Sequence, residues 1–374
     1  MKKLGFGFMR LPLQDKNELE SIDYTVLQQM VDTYMQKGFC YFDTAYMYHG
    51  GVSEVAIRET VVKHYPRDKF ILADKMPVQM ITSKKEQEKT FNEQLARCGV
   101  EYFDNYLLHN LGEGNYKQAL KLDTFNYVQK LKDAGLVKRI GFSYHDNAKL
   151  LDEILTANPH MEFVQLQLNY LDWENDSIQS GACYEVAKKH GKPVIVMEPL
   201  KGGMLAAVPE KAAELFKEYA PAMSFASWGI RYAASLDNVE LVLSGMSDLA
   251  QLLDNISYMQ DFKALTQKEY EIIEEAKKII DSSVAIACTA CQYCVDTCPK
   301  NIAIPKYFAL YNNWKYSGSP SFSLSNVYYN NYIQKHGKAS DCIECRQCEE
   351  HCPQKLEIIS LLKDVAEVFE SETE

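Results

Sequence analysis

The sequence predicts an α/β fold: a (β/α)8 TIM barrel followed by a small, mainly α-helical, cysteine-rich domain. Three observations carry this. From residue 3 to about 260, short β-rich segments alternate with longer amphipathic ones, the pattern of βα units around a parallel sheet. Eight such units fit into that length, which is the size of one barrel. Eight of the 11 cysteines then fall between residues 288 and 352, outside the alternating region.

The strands are expected at 3–9, 40–45, 70–75, 103–109, 139–143, 163–167, 194–197 and 240–244. Helical stretches are expected between them at 53–64, 84–98, 116–134 and 178–190. The last three run into Gly99, Gly135 and Gly191, where glycine takes a left-handed C-cap at no steric cost. A doubly wound open sheet is the alternative, and it wants a Gly-rich phosphate loop after its first strand. Gly5-Phe6-Gly7-Phe8-Met9 lacks the third glycine and the following helix. Residues 266–281 read as a helix leading into the cysteines, so the expected division is 1–281 for the barrel and 282–374 for the second domain. Residues 301–340, rich in Tyr, Asn and Ser with Trp314 and Pro320, suggest short helices, and 356–369 a final amphipathic helix. Trp173 and Trp228 are read as core.

At 374 residues with 47% hydrophobic content the chain can bury a large core. A net charge of -11 without long Lys or Arg blocks argues against nucleic acid or an anionic membrane as partner. No apolar run approaches the roughly 18 residues that span a bilayer. Met1-Lys2-Lys3 leads into no apolar signal stretch. A cytoplasmic protein is expected.

The cysteines form two runs, Cys288, Cys291, Cys294, Cys298 with Pro299, and Cys342, Cys345, Cys348, Cys352 with Pro353. Structural zinc wants two pairs and stops at four ligands, whereas each run offers three cysteines in register plus a Cys-Pro. A disulfide framework belongs to small secreted chains. The spacing is similar to that of bacterial ferredoxins, in which three close thiolates hold one 4Fe-4S cluster and the fourth crosses to the other. By that rule Cys288, Cys291, Cys294 and Cys352 hold one cluster, and Cys342, Cys345, Cys348 and Cys298 the second. The remaining Cys40, Cys98 and Cys183 are read as small buried apolar residues.

Polar residues fall where barrel strands finish: Asp43, Tyr48 five residues on, Lys75 and His109. A lysine or histidine closing an apolar strand costs free energy unless paired. Singly, Asp43 reads as a helix cap and Lys75 as a solvated strand end; together they make a proton donor. A tyrosine has a pKa near 10 and needs its phenolate stabilised to donate and regenerate. Lys75 supplies the cation, Asp43 keeps it charged, and His109 hydrogen-bonds a substrate oxygen as charge develops.

Over residues 3 to about 260 the chain resembles the aldo/keto reductases, on Leu4-Gly5-Phe6-Gly7-Phe8-Met9-Arg10-Leu11-Pro12, on Phe42-Asp43-Thr44-Ala45 with Tyr48, on His109 after Tyr-Leu-Leu, on Gly141-Phe142-Ser143, and on Gln165. With the ferredoxin-like tail, it resembles a bacterial and archaeal branch of that family. The resemblance implies a catalytic tetrad of Asp43, Tyr48, Lys75 and His109. It further implies a nicotinamide carboxamide held by Ser143 and Gln165, and a pyrophosphate loop at Glu198-Pro199-Leu200-Lys201-Gly202-Gly203. Two departures stand out. Tyr144 replaces the Asn that follows Ser in many members. After strand eight, where NADPH-preferring members carry basic residues, this chain has Gly245, Gln251 and Asn255. A phosphate without a cation loses a charge-assisted contact, so NAD or NADP both stand.

The leading expectation is hydride transfer between NAD or NADP and a small carbonyl or alcohol substrate, with two 4Fe-4S clusters attached. Nicotinamide exchanges two electrons as hydride and a cluster passes one, a mismatch that a flavin normally bridges. The sequence shows no convincing flavin motif. Two alternatives follow: an electron-transfer module whose barrel docks a ferredoxin or flavoprotein, and a reductase whose clusters are structural.

Overall fold

The computed structural model describes residues 2–371 except 16–17, 176–177, 282–284, 287, 289, 291, 318–322 and 353–354. Cys291, Pro320 and Pro353 therefore lie outside the described residues. The eight strands are β1 (Leu4–Gly7), β2 (Tyr41–Asp43), β3 (Ile71–Met76), β4 (Phe103–Leu111), β5 (Val137–Tyr144), β6 (Phe163–Gln167), β7 (Val194–Met197) and β8 (Val239–Gly245). They pair in parallel in chain order, and β8 returns to β1 to close the barrel. Every expected strand is present.

Side chains alternate across a strand, so residues two apart share a face. Inside the barrel Tyr41, Ala73, Leu107, Phe163, Ile195, Leu241 and Leu243 form a closed apolar plug. Two residues beyond four of them, toward the C-terminal rim, stand Asp43, Lys75, His109 and Gln165. The opposite end is closed by polar pairs: Arg139 meets Glu240 through two bonds of 2.8 and 3.0 Å, and Asn105 donates to the Tyr41 hydroxyl at 2.9 Å. Gly141 is glycine because a Cβ there would sit 2.7 Å from both the ring and the carbonyl oxygen of Phe163.

Outside the strands a larger apolar layer buries the barrel helices, with Trp228 inside it and Trp173 packed against it. The helix Lys84–Cys98 starts on the Ser83 cap and ends at Gly99, whose φ is 69°. Gly135 and Gly191 are left-handed as well, at 76° and 65°. The single helix expected at 116–134 is instead two, Glu113–Leu122 and Thr124–Asp133, hinged at Asp123 with φ 58°. Asp tolerates that conformation, and the carbonyl freed at Leu122 is taken by the buried Gln87 amide at 3.1 Å. The stretch expected at 53–64 is helical at Ser53–Ile57 and widens into a π turn at Arg58–Val62.

The helix Gln267–Asp281 leads into the tail, whose helices Ile304–Ser317, Leu324–Tyr332 and Ile358–Phe369 pack Tyr307, Phe308, Tyr329, Leu362 and Val365 around Cys294, Cys348 and Cys352. The first of these, at 14 residues, is longer than the short helices expected there. The tail rests on the C-terminal rim of the barrel. Asn331 donates to the His145 carbonyl after β5 at 2.9 Å, Lys335 pairs with Glu113 after β4, and Ile178 after β6 joins the tail's apolar core. Among the described residues no helix is long and apolar enough to cross a membrane.

Candidate active site and cluster-binding region

The ends of β2, β3 and β4 bring Asp43, Lys75 and His109 to one place at the rim, and the turn after β2 adds Tyr48. Lys75 Nζ donates to Asp43 Oδ1 at 2.5 Å and to the Thr44 carbonyl at 2.7 Å. The two charged side chains are 1% and 5% exposed, so this is a buried ion pair, which holds only while both partners remain. The ammonium lies 4.8 Å from the centre of the Tyr48 ring. The His109 ring meets Tyr48 edge-on at 5.9 Å.

Burial works against charge at each position, and the neighbours correct it unevenly. Burial would lower Lys75, yet Asp43 and Tyr48 raise it further, which leaves a firm ammonium. Burial pushes Tyr48 up more than Lys75 pulls it down, so the phenol keeps its proton at neutral pH. For Asp43, burial raises the carboxyl and Lys75 opposes the rise. Burial first, and then the facing Lys75 and His145, drive His109 well below the usual histidine range, which makes it a neutral imidazole. Among the described residues Asp43 Oδ2 and His109 Nδ1 are buried without a partner.

Ser143 and Gln165 sit opposite one another on β5 and β6. The Ser143 hydroxyl accepts from the Asn110 amide at 2.8 Å and keeps its own proton to give, while Gln165 Oε1 is buried with no partner among the described residues. A primary carboxamide, donor and acceptor on one carbon, complements that pair. Gly202 lies in the loop after β7 with φ 71°, and its amide donates to Glu198. Asn255 is turned to the barrel by a bond to Ser244 at 2.8 Å. Gln251 is occupied locally: it accepts from the Ser247 amide at 2.9 Å and donates to Asp248 at 3.0 Å, fastening the start of its own helix. Tyr144, the replacement noted after Ser143, is buried and donates to the Asn147 carbonyl at 2.6 Å.

Apart from Lys201, named in the loop after β7, sequence reading passed over a second polar set at this rim. Gln167 and Asn169 both donate to Asp172, at 2.8 and 2.7 Å, and Lys201 pairs with the same carboxylate. His145, buried, faces Tyr328 of the tail edge-on at 5.5 Å. The signal was available in the alternation: Gln167 and His145 are the next inward positions after Gln165 and Ser143.

In the tail, Cys298, Cys342, Cys345 and Cys348 line one pocket, with Ile302, Ile304 and Leu362 as its apolar walls. Burial lifts the Cys348 thiol to about 11, with Cys342 and Cys345 adding to the rise, the repulsion between neighbouring thiolates that a cationic iron-sulfur core would relieve. The donor set is soft, sulfur-only and shared between the two runs, which fits a 4Fe-4S cubane. Of the other set, Cys294 and Cys352 are buried and Cys288 half-buried, with Cys291 outside the described residues.

The barrel and its cysteine-lined companion place the molecule among the oxidoreductases that carry iron-sulfur centres. More closely, the chain belongs to the aldo/keto reductase family, whose model matches residues 3–278, and a 4Fe-4S dicluster domain matches residues 287–357. It is 22% identical to an uncharacterized oxidoreductase of Bacillus subtilis, over 74% of this chain and 93% of that one. It is 23% identical to the L-galactose dehydrogenase of Arabidopsis thaliana, over 65% and 81%. Among solved structures it superposes on an aldo-keto reductase from Bacillus halodurans in its holo form, with TM-score 0.59, 22% identity, and coverage of 73% of this chain and 91% of that one. An aldo-keto reductase from Klebsiella pneumoniae in complex with NADPH gives TM-score 0.56 and 18% identity over 73% and 90%. Those likenesses bear on the barrel fold.

Proposed function

We propose that the chain reduces a small carbonyl compound, or oxidises the matching alcohol, with a nicotinamide dinucleotide, and that Tyr48 carries the proton. The supporting observation is the buried Lys75–Asp43 ion pair held against Tyr48, with His109 facing it. A bound nicotinamide supplies or accepts the hydride; Ser143 and Gln165 would hold its carboxamide. The chain does the rest. His109, neutral, hydrogen-bonds the substrate oxygen and aims its carbon. As that oxygen gains negative charge, the Tyr48 hydroxyl passes its proton to it, and the phenolate left behind is stabilised by the Lys75 ammonium. Asp43 supports the ammonium against burial, which by itself lowers the lysine's pKa.

The same reading gives the tail two 4Fe-4S clusters, one on Cys342, Cys345, Cys348 and Cys298, the other on Cys288, Cys291, Cys294 and Cys352. When bound, such clusters pass single electrons. The seat of the tail on the barrel rim favours clusters that serve the barrel over a barrel that merely docks a ferredoxin or flavoprotein. Replacing Tyr48 with Phe in anaerobically purified protein tests the mechanism. Carbonyl-dependent oxidation of NADH or NADPH should fall by at least ~100-fold with iron content and nucleotide affinity retained. A Tyr48→Phe protein of normal activity would remove Tyr48 from the reaction.

A further inference from the structure

The chain after His109 turns sharply at the rim, and the iron-sulfur domain grips it there. Asn110 has φ 55°, a left-handed backbone that a non-glycine residue keeps only where its surroundings fix it. The rim supplies part of that: the Asn110 amide donates to the Ser143 hydroxyl at 2.8 Å, its carbonyl accepts from the Asn115 side chain at 2.6 Å, and the Glu113 amide donates to Asp146 at 3.1 Å. The tail supplies the rest. Asn331, near the end of the helix Leu324–Tyr332, donates to the His145 carbonyl at 2.9 Å, and its side-chain nitrogen would lie only 2.9 Å from a Cβ placed on Gly112. A Cβ on Gly114 would run into the side-chain oxygen of Gln334, and Lys335 pairs with Glu113. Glycines three and five residues past His109 are therefore the points where the tail comes in. The same helix is tied to the second cysteine run. The Ala339 amide, three residues before Cys342, donates to the Tyr329 hydroxyl at 2.9 Å, and Tyr307 donates to the Gly337 carbonyl at 2.8 Å.

We propose that Asn331 and Lys335 are positioning residues for His109: the iron-sulfur domain, ordered by its clusters, holds the loop after β4 and so sets where the imidazole meets the substrate oxygen. The inference rests on the His109 role proposed above. It gives the clusters an effect on turnover that needs no electron to pass through them. Loss of iron frees Cys342, Cys345 and Cys348, then the helix that Tyr329 ties to them, then the loop. The Lys335–Glu113 pair, with side chains 42% and 23% exposed, adds little to stability. Its weight falls on geometry, because misplacing a group at the reacting atoms by about 1 Å can cost on the order of 100-fold in rate.

The test uses the full chain, purified anaerobically with its clusters loaded. It compares Asn331→Ala and Lys335→Met on the tail, Gly112→Ala on the barrel, and Lys335→Arg as the conservative change. Amide hydrogen exchange over residues 109–115, read by mass spectrometry, should quicken several-fold in the first three. In the same proteins kcat for carbonyl reduction should fall about tenfold or more, with iron content retained and nucleotide affinity changed less than kcat. Lys335→Arg should match the unaltered chain. Stripping iron from the unaltered chain with a chelator should also quicken exchange over 109–115. Faster exchange with kcat unchanged would make the contact purely structural and overturn the proposal. So would a kcat that falls only in step with iron content, or iron removal that leaves 109–115 protected. An unaltered chain that turns over no carbonyl compound would sink the Tyr48 reading, whereas unchanged exchange in Asn331→Ala, Lys335→Met and Gly112→Ala would sink the positioning role alone.

Discussion

Lys75 is the residue on which the proposed chemistry turns, because it is a charge buried at 1% exposure with a single carboxylate to balance it. Lys75→Met strands Asp43, and the folding free energy should fall by about 3–5 kcal/mol. The double variant Asp43→Asn/Lys75→Met should regain most of that loss in denaturant unfolding while remaining inactive; equal stability of the single and double variants would contradict the pairing. The pH dependence follows from the same contacts. Burial lifts the Tyr48 phenol above its ordinary value, so carbonyl reduction should hold steady from neutral pH to beyond about 10 and fall only as the phenol ionises. Alcohol oxidation, which begins from the phenolate, should rise over the same range. A reduction rate already lost at neutral pH would contradict a protonated Tyr48. Asp43, Lys75 and His109 were legible because polar side chains ending apolar strands must share the rim of a closed barrel. Gln167 and His145 lie on the same inward faces but were passed over, since their importance depends on what covers them, and no local pattern reveals that.

At the scale of elements, strands were the most readable feature: each is a short β-rich run bounded by helical periodicity, and its length leaves little room to err. Helix 116–134 misled because residues 122 and 125 are both apolar and continue the period, while the interruption at Asp123 is a matter of one backbone angle and a distant cap from Gln87. The β5–β6 pair is sensitive in a different way. Gly141→Ala would press a methyl against the Phe163 carbonyl at 2.7 Å, costing about 1–3 kcal/mol and parting Ser143 from Gln165. Nucleotide affinity should fall along with thermal stability; unchanged affinity would separate that pair from the cofactor. The contact between the loop after β5 and the tail carries its own titration. Burial depresses His145 to about 3, below the value near 6.5 of the unfolded chain. The unfolded state therefore takes the proton first, and stability is lost as pH falls from about 6.5 toward 3. His145→Gln should flatten that acid limb in urea unfolding between pH ~7 and ~5, and an identical slope would show that His145 binds its proton equally in the folded and unfolded states.

For the whole molecule, the sequence announced two kinds of chemistry but not their arrangement. Cysteine spacing is local and survives in one dimension; the seat of the tail on the C-terminal rim depends on pairs such as Asn331 with His145 and Lys335 with Glu113, separated by nearly two hundred residues or more. That seat gives the cysteine domain a place beside the proposed hydride chemistry, within reach of the rim loops after β4, β5 and β6. Cys298 lies on the first run yet lines the cavity of the second, so Cys298→Ser should lower iron and sulfide together and loosen both halves of the tail. The most direct measurement is transfer of deuterium from nicotinamide deuterated at its reactive carbon, using the anaerobic holoprotein and a panel of small carbonyl compounds. Label should appear on the carbinol carbon of the product, and should vanish with Tyr48→Phe. Product without label, or full labelling by the Tyr48→Phe protein, would contradict the account.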